Sequence, residues 1–376
     1  MDIDNIKIGT EATFITPIED GINSITRIEK SGYDSAWLSD HIMGWTPESI
    51  WRPELVKAAT FNKYPHHFYE AFSTLAVAGW NTSRINLGTS VTEVFRRHPA
   101  VLAQIALTQD NISKGRFILG IGAGEGENTI PYGIKWEKPV SRLEEALQII
   151  KLLWEHNHKV SYDGDFWTLK DAILQLHPYK EGVYPPIWVA AHGPKMLEIT
   201  GKLADGWLPA YSSPKAYKKR LEKIKESAKK DGRDPESITP ALFCYLVIDE
   251  DHNACEDIIQ SPLSKNQLLT LPDKFFEQYG TSHPFGRDFY GLLEYIPTKY
   301  DEETILNAIE EIPAKMCQDM YLYGTVDEVI GEIEEYAKAG LRHAVLYNTT
   351  YLSDVTKIKS SFSCMKRVLE YFKDQN

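Results

Sequence analysis

Short β-branched and apolar runs alternate along the chain with longer segments whose apolar positions recur every three or four residues. Strands bury every second side chain and helices one stripe of a 3.6-residue turn, so this alternation predicts repeated βα units around a parallel sheet. Strands are expected at about Ile6–Glu11, Ser35–Ser39, Ile85–Thr89, Phe117–Gly122, Ile187–Ala191, Gly206–Pro209, Ala241–Ile248 and His343–Tyr347. Eight such strands suggest an α/β fold closed as a (β/α)8 TIM barrel. Helices are expected over Gly21–Lys30, Pro99–Ile112, Arg142–Trp154, Pro194–Leu203, Pro214–Lys230 and Thr325–Lys338.

Three segments break the rhythm. Met43–His67 is rich in Trp, Pro and Tyr, and Lys159–Leu169 carries an Asp163-Gly164 turn between alternating residues, as a hairpin would. Ser261–Met316 holds many aromatics, with breaks at Pro272, Pro284 and Pro297, and is too apolar for a disordered linker. The expectation is a single TIM-barrel domain spanning 1–376, with insertions at about 43–67, 159–169 and 261–316.

Composition narrows the function. A formal charge of −12 argues against a nucleic-acid binder, and any anionic ligand must meet a local positive site. Cys244, Cys255, Cys317 and Cys364 lie far apart, with no C-x-x-C pair, so neither a disulfide framework nor a zinc site is implied. The start lacks a basic stretch and apolar run, and no stretch is long enough to cross a bilayer, so a cytoplasmic protein without a membrane span is expected. No H-E-x-x-H, G-x-S-x-G or G-x-x-x-x-G-K-[ST] occurs. A catalytic metal, a serine nucleophile and a P-loop all lose their main support.

Other residues carry candidate chemistry. Trp37-Leu-Ser-Asp40-His41-Ile-Met-Gly-Trp45 runs a strand into a carboxylate, an imidazole and an indole. That is either a barrel mouth supplied with polar groups or a helix cap followed by a surface histidine. Gly120-Ile-Gly122-Ala-Gly124-Glu125-Gly126-Glu-Asn128 fails the dinucleotide spacing G-x-G-x-x-G. Its alternate glycines either let a flat ligand approach or relieve a crowded interior, and Glu125 among them favours the former. Ala190-Ala-His192-Gly193-Pro194-Lys195 opens a helix with a first-turn proline. It is a phosphate site with Lys195 adding charge, or an ordinary turn.

Taken in order, Gly9-x-Glu11, Ser39-Asp40-His41, Gly88-Thr89-Ser90-Val91, Arg97-His-Pro99-Ala, the glycine run, Trp188-Val-Ala-Ala191-x-Gly193-Pro194 and Gly324-Thr-x-Asp327-Glu328 resemble the bacterial-luciferase-like superfamily, in its branch that uses coenzyme F420. Pro131-Tyr-Gly-x-x-Trp136-x-Lys-Pro139-Val, Asp231-Gly-Arg-Asp-Pro-x-Ser-Ile-Thr-Pro240 and His283-Pro-x-Gly-x-Asp-Phe289 are similar to the phthiodiolone dimycocerosates ketoreductases. Methylenetetrahydromethanopterin reductases share part of the set but typically lack counterparts of Trp45 and Glu125.

The resemblance implies an F420-dependent oxidoreductase exchanging a hydride with a carbonyl or secondary alcohol. Alternatives are a methylenetetrahydromethanopterin reductase or paralogue, an FMN-dependent monooxygenase, and a barrel that binds the coenzyme without turnover. It makes His41 and Glu125 the acid–base pair, Trp45 a wall at the ring edge and Glu11 a further acid. It places the ring over Ser90, Val91 and Thr92, with a cis peptide between Ser90 and Val91. Asp40, Gly124, Glu125 and Asn128 would meet the ring or its ribityl chain, and His192, Gly193 and Pro194 the phosphate end. A homodimer is expected. Trp45, Trp51, Phe61, Tyr64, Phe275, Phe276, Phe285 and Phe289 would line a pocket for an apolar or ring-bearing carbonyl substrate.

Overall fold

The computed structural model describes residues 6–14 and 17–374. Its strands are β1 (Lys7–Glu11), β2 (Ser35–Leu38), β3 (Asn86–Thr89), β4 (Phe117–Ile121), β5 (Val160–Asp163), β6 (Thr168–Ala172), β7 (Ile187–Val189), β8 (Gly206–Trp207), β9 (Thr239–Ile248), β10 (Leu322–Gly324) and β11 (His343–Asn348). Hydrogen bonding runs β9-β11-β1-β2-β3-β4-β7-β8 and closes through a β8–β9 pairing, all parallel. This is the expected closed eight-strand barrel, and all eight expected strands take part. The antiparallel pair β5–β6 stands apart as the hairpin. β10 was not expected: three residues carry no readable period, and they pair only with the far end of the long β9, Leu322 beside Leu246 and Gly324 beside Ile248.

Helices Pro194–Leu203 and Pro214–Lys230 fall where the pattern put them, with Gly193 and Ser213 as N-caps. Ile18–Ser31, Pro99–Ser113, Pro139–Glu155 and Val326–Lys338 extend the expected spans or shift them by a residue. Ala71–Asn81, His252–Ile259 and Ile358–Asp374 were missed. The first of these is apolar almost all round, which erases the polar stripe that marks a surface helix. Among the described residues no helix is long and apolar enough to cross a membrane.

Two apolar clusters hold the molecule. One lies between sheet and helices; the other fills the barrel interior and continues into the 261–316 segment. At the N-terminal end Trp37 Nε1–H donates to Ser35 Oγ at 2.7 Å, and Ser35 meets His343 Nε2 at 2.7 Å. Burial pushes that imidazole down to about 3, so it is a neutral packing group. With Trp188 against Trp37 at 5.1 Å this end is plugged, which leaves the C-terminal mouth for chemistry.

Within the 261–316 segment, His283 accepts from Phe285 N–H and meets the Leu269 carbonyl, each at 3.0 Å, and stacks on Phe289 at 4.2 Å. Phe285 stacks on Tyr300 at 4.3 Å and Phe276 is fully buried. These rings pack against one another within the segment, and the full burial of Phe276 corrects the expectation that it lines a pocket, while Phe285 and Phe289 are partly exposed. Phe61 and Tyr64 stand exposed on the 43–67 segment, whose Trp51 is fixed by an indole bond to the Asn62 carbonyl at 2.8 Å.

Candidate active site

β2 ends at Leu38, and the chain beyond it carries Ser39, Asp40 and His41 at the C-terminal end of the barrel. Ser39 gives both its backbone N–H (2.8 Å) and its hydroxyl (2.7 Å) to Glu11 Oε1, while Ser90 Oγ–H donates to Oε2 at 2.6 Å. Glu11 thus laces the ends of three adjacent strands. Burial outweighs those hydrogen bonds and pushes its carboxyl up to about 7. The Ser90–Val91 peptide above it is cis, as the resemblance implies.

Asp40 faces the other way. Its oxygens receive Arg97 at 2.6 and 3.2 Å, Arg96 at 3.0 Å and the Thr92 hydroxyl at 2.6 Å. Burial opposes the charge, but Arg96 and Arg97 hold the carboxyl below its ordinary range. The side chains of Asp40 and Thr92 are therefore spent on the scaffold beneath the mouth.

The glycines of the next loop serve the protein itself. A Cβ at Gly120 would sit 1.8 Å from the Thr89 carbonyl oxygen, and one at Gly126 would sit 2.5 Å from that of Leu293. Gly124 bends the loop in a left-handed conformation, φ +90. The crowded-interior reading holds at Gly120 and Gly126, and Gly122 abuts Val91.

This bend delivers Glu125, Glu127 and Asn128 to His41. Asn128 Oδ1 accepts the backbone N–H groups of Ile42 (2.7 Å) and Met43 (3.1 Å), which fixes the amide's orientation. Its Nδ2 then faces His41 Nδ1 at 3.0 Å, Glu127 Oε1 at 3.2 Å and Glu125 Oε2 at 3.4 Å. His41 Nδ1 lies 3.7 Å from Glu125 and 3.9 Å from Glu127, and 3.1 Å from the Met43 carbonyl. Trp45 stands edge-on to the imidazole at 5.5 Å, and Phe68 covers it at 5.5 Å. Nδ1 has a donor in Asn128 and an acceptor in Met43, so either tautomer is satisfied. His41 Nε2 has no hydrogen-bond partner among the described residues.

Glu127 was not singled out from the sequence, although acids at alternate positions 125 and 127 were there to be read. Its side chain is fully buried, with Trp45 Nε1–H donating to Oε1 at 2.8 Å. Burial first, then the charge of Glu125, pushes it well above the ordinary carboxylate range. One ligand atom from each of His41, Glu125 and Glu127 lies within 4.8 Å of the others. The indole and amide N–H groups aimed into this space suit carboxyl oxygens and shared protons.

Across the mouth, His192, Gly193 and Pro194 follow β7. Gly193 is extended (φ −78, ψ 158), and no side chain caps the helix that Pro194 begins, so its first N–H groups are free for an anion. Lys195, expected to add charge, is already paired with Glu144 at 2.9 Å. The cation that remains is Arg220, half-buried, donating to Ser212 Oγ at 3.1 Å and forming no ion pair among the described residues. His192 reaches solvent, which limits how far the enclosing protein depresses its pKa; the Arg220 charge acts in the same direction. Arg220 was hidden in a Lys-rich helix that reads as a solvated face.

Residues 6–343 match the sequence profile of the luciferase-like monooxygenase family. The phthiodiolone/phenolphthiodiolone dimycocerosates ketoreductase of Mycobacterium tuberculosis is 40% identical over 321 residues, covering 84% of each chain. A 5,10-methylenetetrahydromethanopterin reductase of Methanolobus tindarius is 29% identical, covering 84% of this chain and 86% of its own. Among solved structures, an F420-dependent secondary alcohol dehydrogenase in complex with an F420-acetone adduct shares the fold with a TM-score of 0.76, at 22% identity, covering 98% of this chain and 99% of that one.

Proposed function

The chain belongs to the luciferase-like monooxygenase family, and on that premise we propose that it is an oxidoreductase using coenzyme F420 to exchange a hydride with a carbonyl or secondary alcohol. The observation that carries the reading is His41, whose Nε2 has no hydrogen-bond partner among the described residues while Nδ1 is poised between the Asn128 amide and the Met43 carbonyl. Ketone reduction consumes a hydride and a proton, and the reverse releases both, so the protein must hold a group able to work in either direction. When bound, the deazaflavin supplies or accepts the hydride.

The residues present suit such a coenzyme. An anionic tail fits the uncapped N-terminus of Pro194–Leu203 beside the unpaired Arg220. The floor made by Val91 and the Ser90–Glu11 contact is apolar above and fixed below. His41 handles the proton at the substrate oxygen, Glu125 supports its charged form, and Trp45 and Phe68 hold the ring in place and exclude water.

The rim favours an apolar carbonyl compound. Ile42, Phe68, Tyr132 and Leu293 are all exposed around His41 and the glycine loop, without a cluster of free cations that would suit a phosphorylated sugar. The name of the mycobacterial relative points the same way, and that of the methanogen relative to a pterin.

Equilibrium titration with coenzyme F420 and with FMN, followed by ketone-dependent reoxidation of the reduced deazaflavin, tests the proposal. Binding of F420 and turnover of a bulky apolar ketone are expected. Tight FMN binding with none for the deazaflavin would overturn it, and turnover of a methylene pterin in place of every ketone would reassign the substrate.

A further inference from the structure

We propose that Glu125 and Glu127 share a single proton, as an acid–carboxylate pair, and that through this pair Glu127 acts as a positioning residue for the proton that His41 exchanges. The inference deepens the functional reading above, but its first test requires neither coenzyme nor turnover.

The geometry of Glu127 is that of a neutral acid. Its Oε1 accepts from Trp45 at 2.8 Å and from Asn128 at 3.2 Å, while its Oε2 is buried with no hydrogen-bond partner. A carboxylate left with one bare oxygen in such a place is costly; a proton on Oε2 cancels the charge and turns that oxygen into a donor. The other carboxylate of the cluster is Glu125, one oxygen of which lies within 4.8 Å of a Glu127 oxygen and of a His41 ring nitrogen. Facing the pair are His41 from the loop after β2, Tyr132 from the following turn, Tyr211 from the loop after β8, Tyr245 from β9 and Tyr295 from the long insertion. No Lys or Arg forms an ion pair with either glutamate among the described residues, so two full charges there would be compensated by His41 alone. Burial and the neighbouring charge hold Glu127 protonated in the same sense.

The division of labour follows from exposure. The Glu125 side chain is 23% exposed and that of Glu127 0%, so Glu125 meets solvent while Glu127 is the enclosed store. In alcohol oxidation the substrate O–H bond would break as N–H forms at His41 Nε2 and the C=O bond closes, the carbinol hydride being what coenzyme F420, when bound, would take up. The imidazolium so formed is stabilised by the single negative charge of the pair, 3.7 Å from Nδ1. Reduction runs the same transfers backwards.

Infrared difference spectroscopy of the coenzyme-free protein decides the protonation state. The wild-type minus Glu127→Gln spectrum at neutral pH should contain the carbonyl stretch of a protonated carboxyl; the signals of Glu11 and Glu332, which burial pushes up to about 7, cancel in that difference. Only carboxylate bands there would overturn the proposal. Glu125→Gln provides a second reading that does not require Glu127→Gln to fold: with the neighbouring charge gone, the Glu127 band should disappear at lower pH than in the wild type, and an unchanged pH dependence would count against pairing. In turnover, Glu127→Gln should flatten the alkaline limb of the kcat pH profile, because the amide has no shared proton to lose. Retained rate with an unchanged limb would assign Glu127 a purely structural role and reject the shared proton.

Discussion

The indole N–H of Trp45 and the buried carboxyl of Glu127 meet at 2.8 Å, joining two loops 82 residues apart in sequence. Trp45 is thereby held edge-on to His41. Its replacement by Phe, which keeps the apolar bulk and drops the donor, should lower kcat with little change in ketone KM, as steady-state kinetics with the reduced coenzyme would show.

His41→Ala and Glu125→Gln should each leave folding intact and slow hydride transfer by about 10²–10⁴-fold, the range for losing a positioned acid or base. Stopped-flow absorbance of the deazaflavin reads this directly. Wild-type rates in both variants would dismiss the acid–base assignment, and loss of coenzyme binding would make the two residues ligand contacts.

Glu11 gives the stability curve a definite sign. Its folded pKa of about 7 lies above the ordinary carboxyl value of 4.5, so the native state binds its proton more tightly than the unfolded chain does. The stability it contributes is fully present below about 4.5 and is lost as pH rises through about 7, a difference capped near 3 kcal/mol at about 1.4 kcal/mol per pH unit. Relative to wild type, Glu11→Gln should gain stability progressively over that window. Urea denaturation at several pH values measures it, and a constant offset would show that Glu11 is not displaced.

Arg220→Met should weaken coenzyme binding by about 10- to 100-fold, the worth of one charge-assisted contact, and reduce its salt dependence. Lys195→Met should do neither, since that charge is committed to Glu144. Equal losses in both variants would return the anion site to the lysine the sequence suggested.

Gly126→Ala should cost about 1–3 kcal/mol, because its Cβ meets a backbone carbonyl that cannot rotate away. Thermal unfolding reports the loss, and an unaltered Tm would mean that the 261–316 segment yields at Leu293.

The barrel was legible because strand and helix periods differ and nearly every βα unit is long enough to show them. What escaped lacked length or contrast: β10 spans three residues, and Ala71–Asn81 has no polar stripe. At the site, His41, Glu125 and Asn128 were readable from their place after strands and glycines, and the structure brings them together. Asp40 and Thr92 were read as coenzyme contacts, yet their side chains bind Arg96, Arg97 and each other, since a local motif does not reveal which of two neighbours a side chain will choose. Phe276 misled for a related reason. Rings crowd a small satellite core as readily as a pocket, and the hydrogen bonds that pin His283 are set by residues 14 positions away or by backbone geometry.

Asn266 donates to the carbonyl of Trp45 at 3.2 Å, and the Leu292 carbonyl accepts the N–H of Gly126 at 2.8 Å. Both loops that flank the imidazole are therefore anchored to the segment that differs most from the plain barrel plan. Replacing that segment would remove an anchor from each of the loops that carry Trp45 and Glu125. An exchange of that segment that leaves the two loops in place must carry Asn266 and the Leu292–Leu293 turn with it.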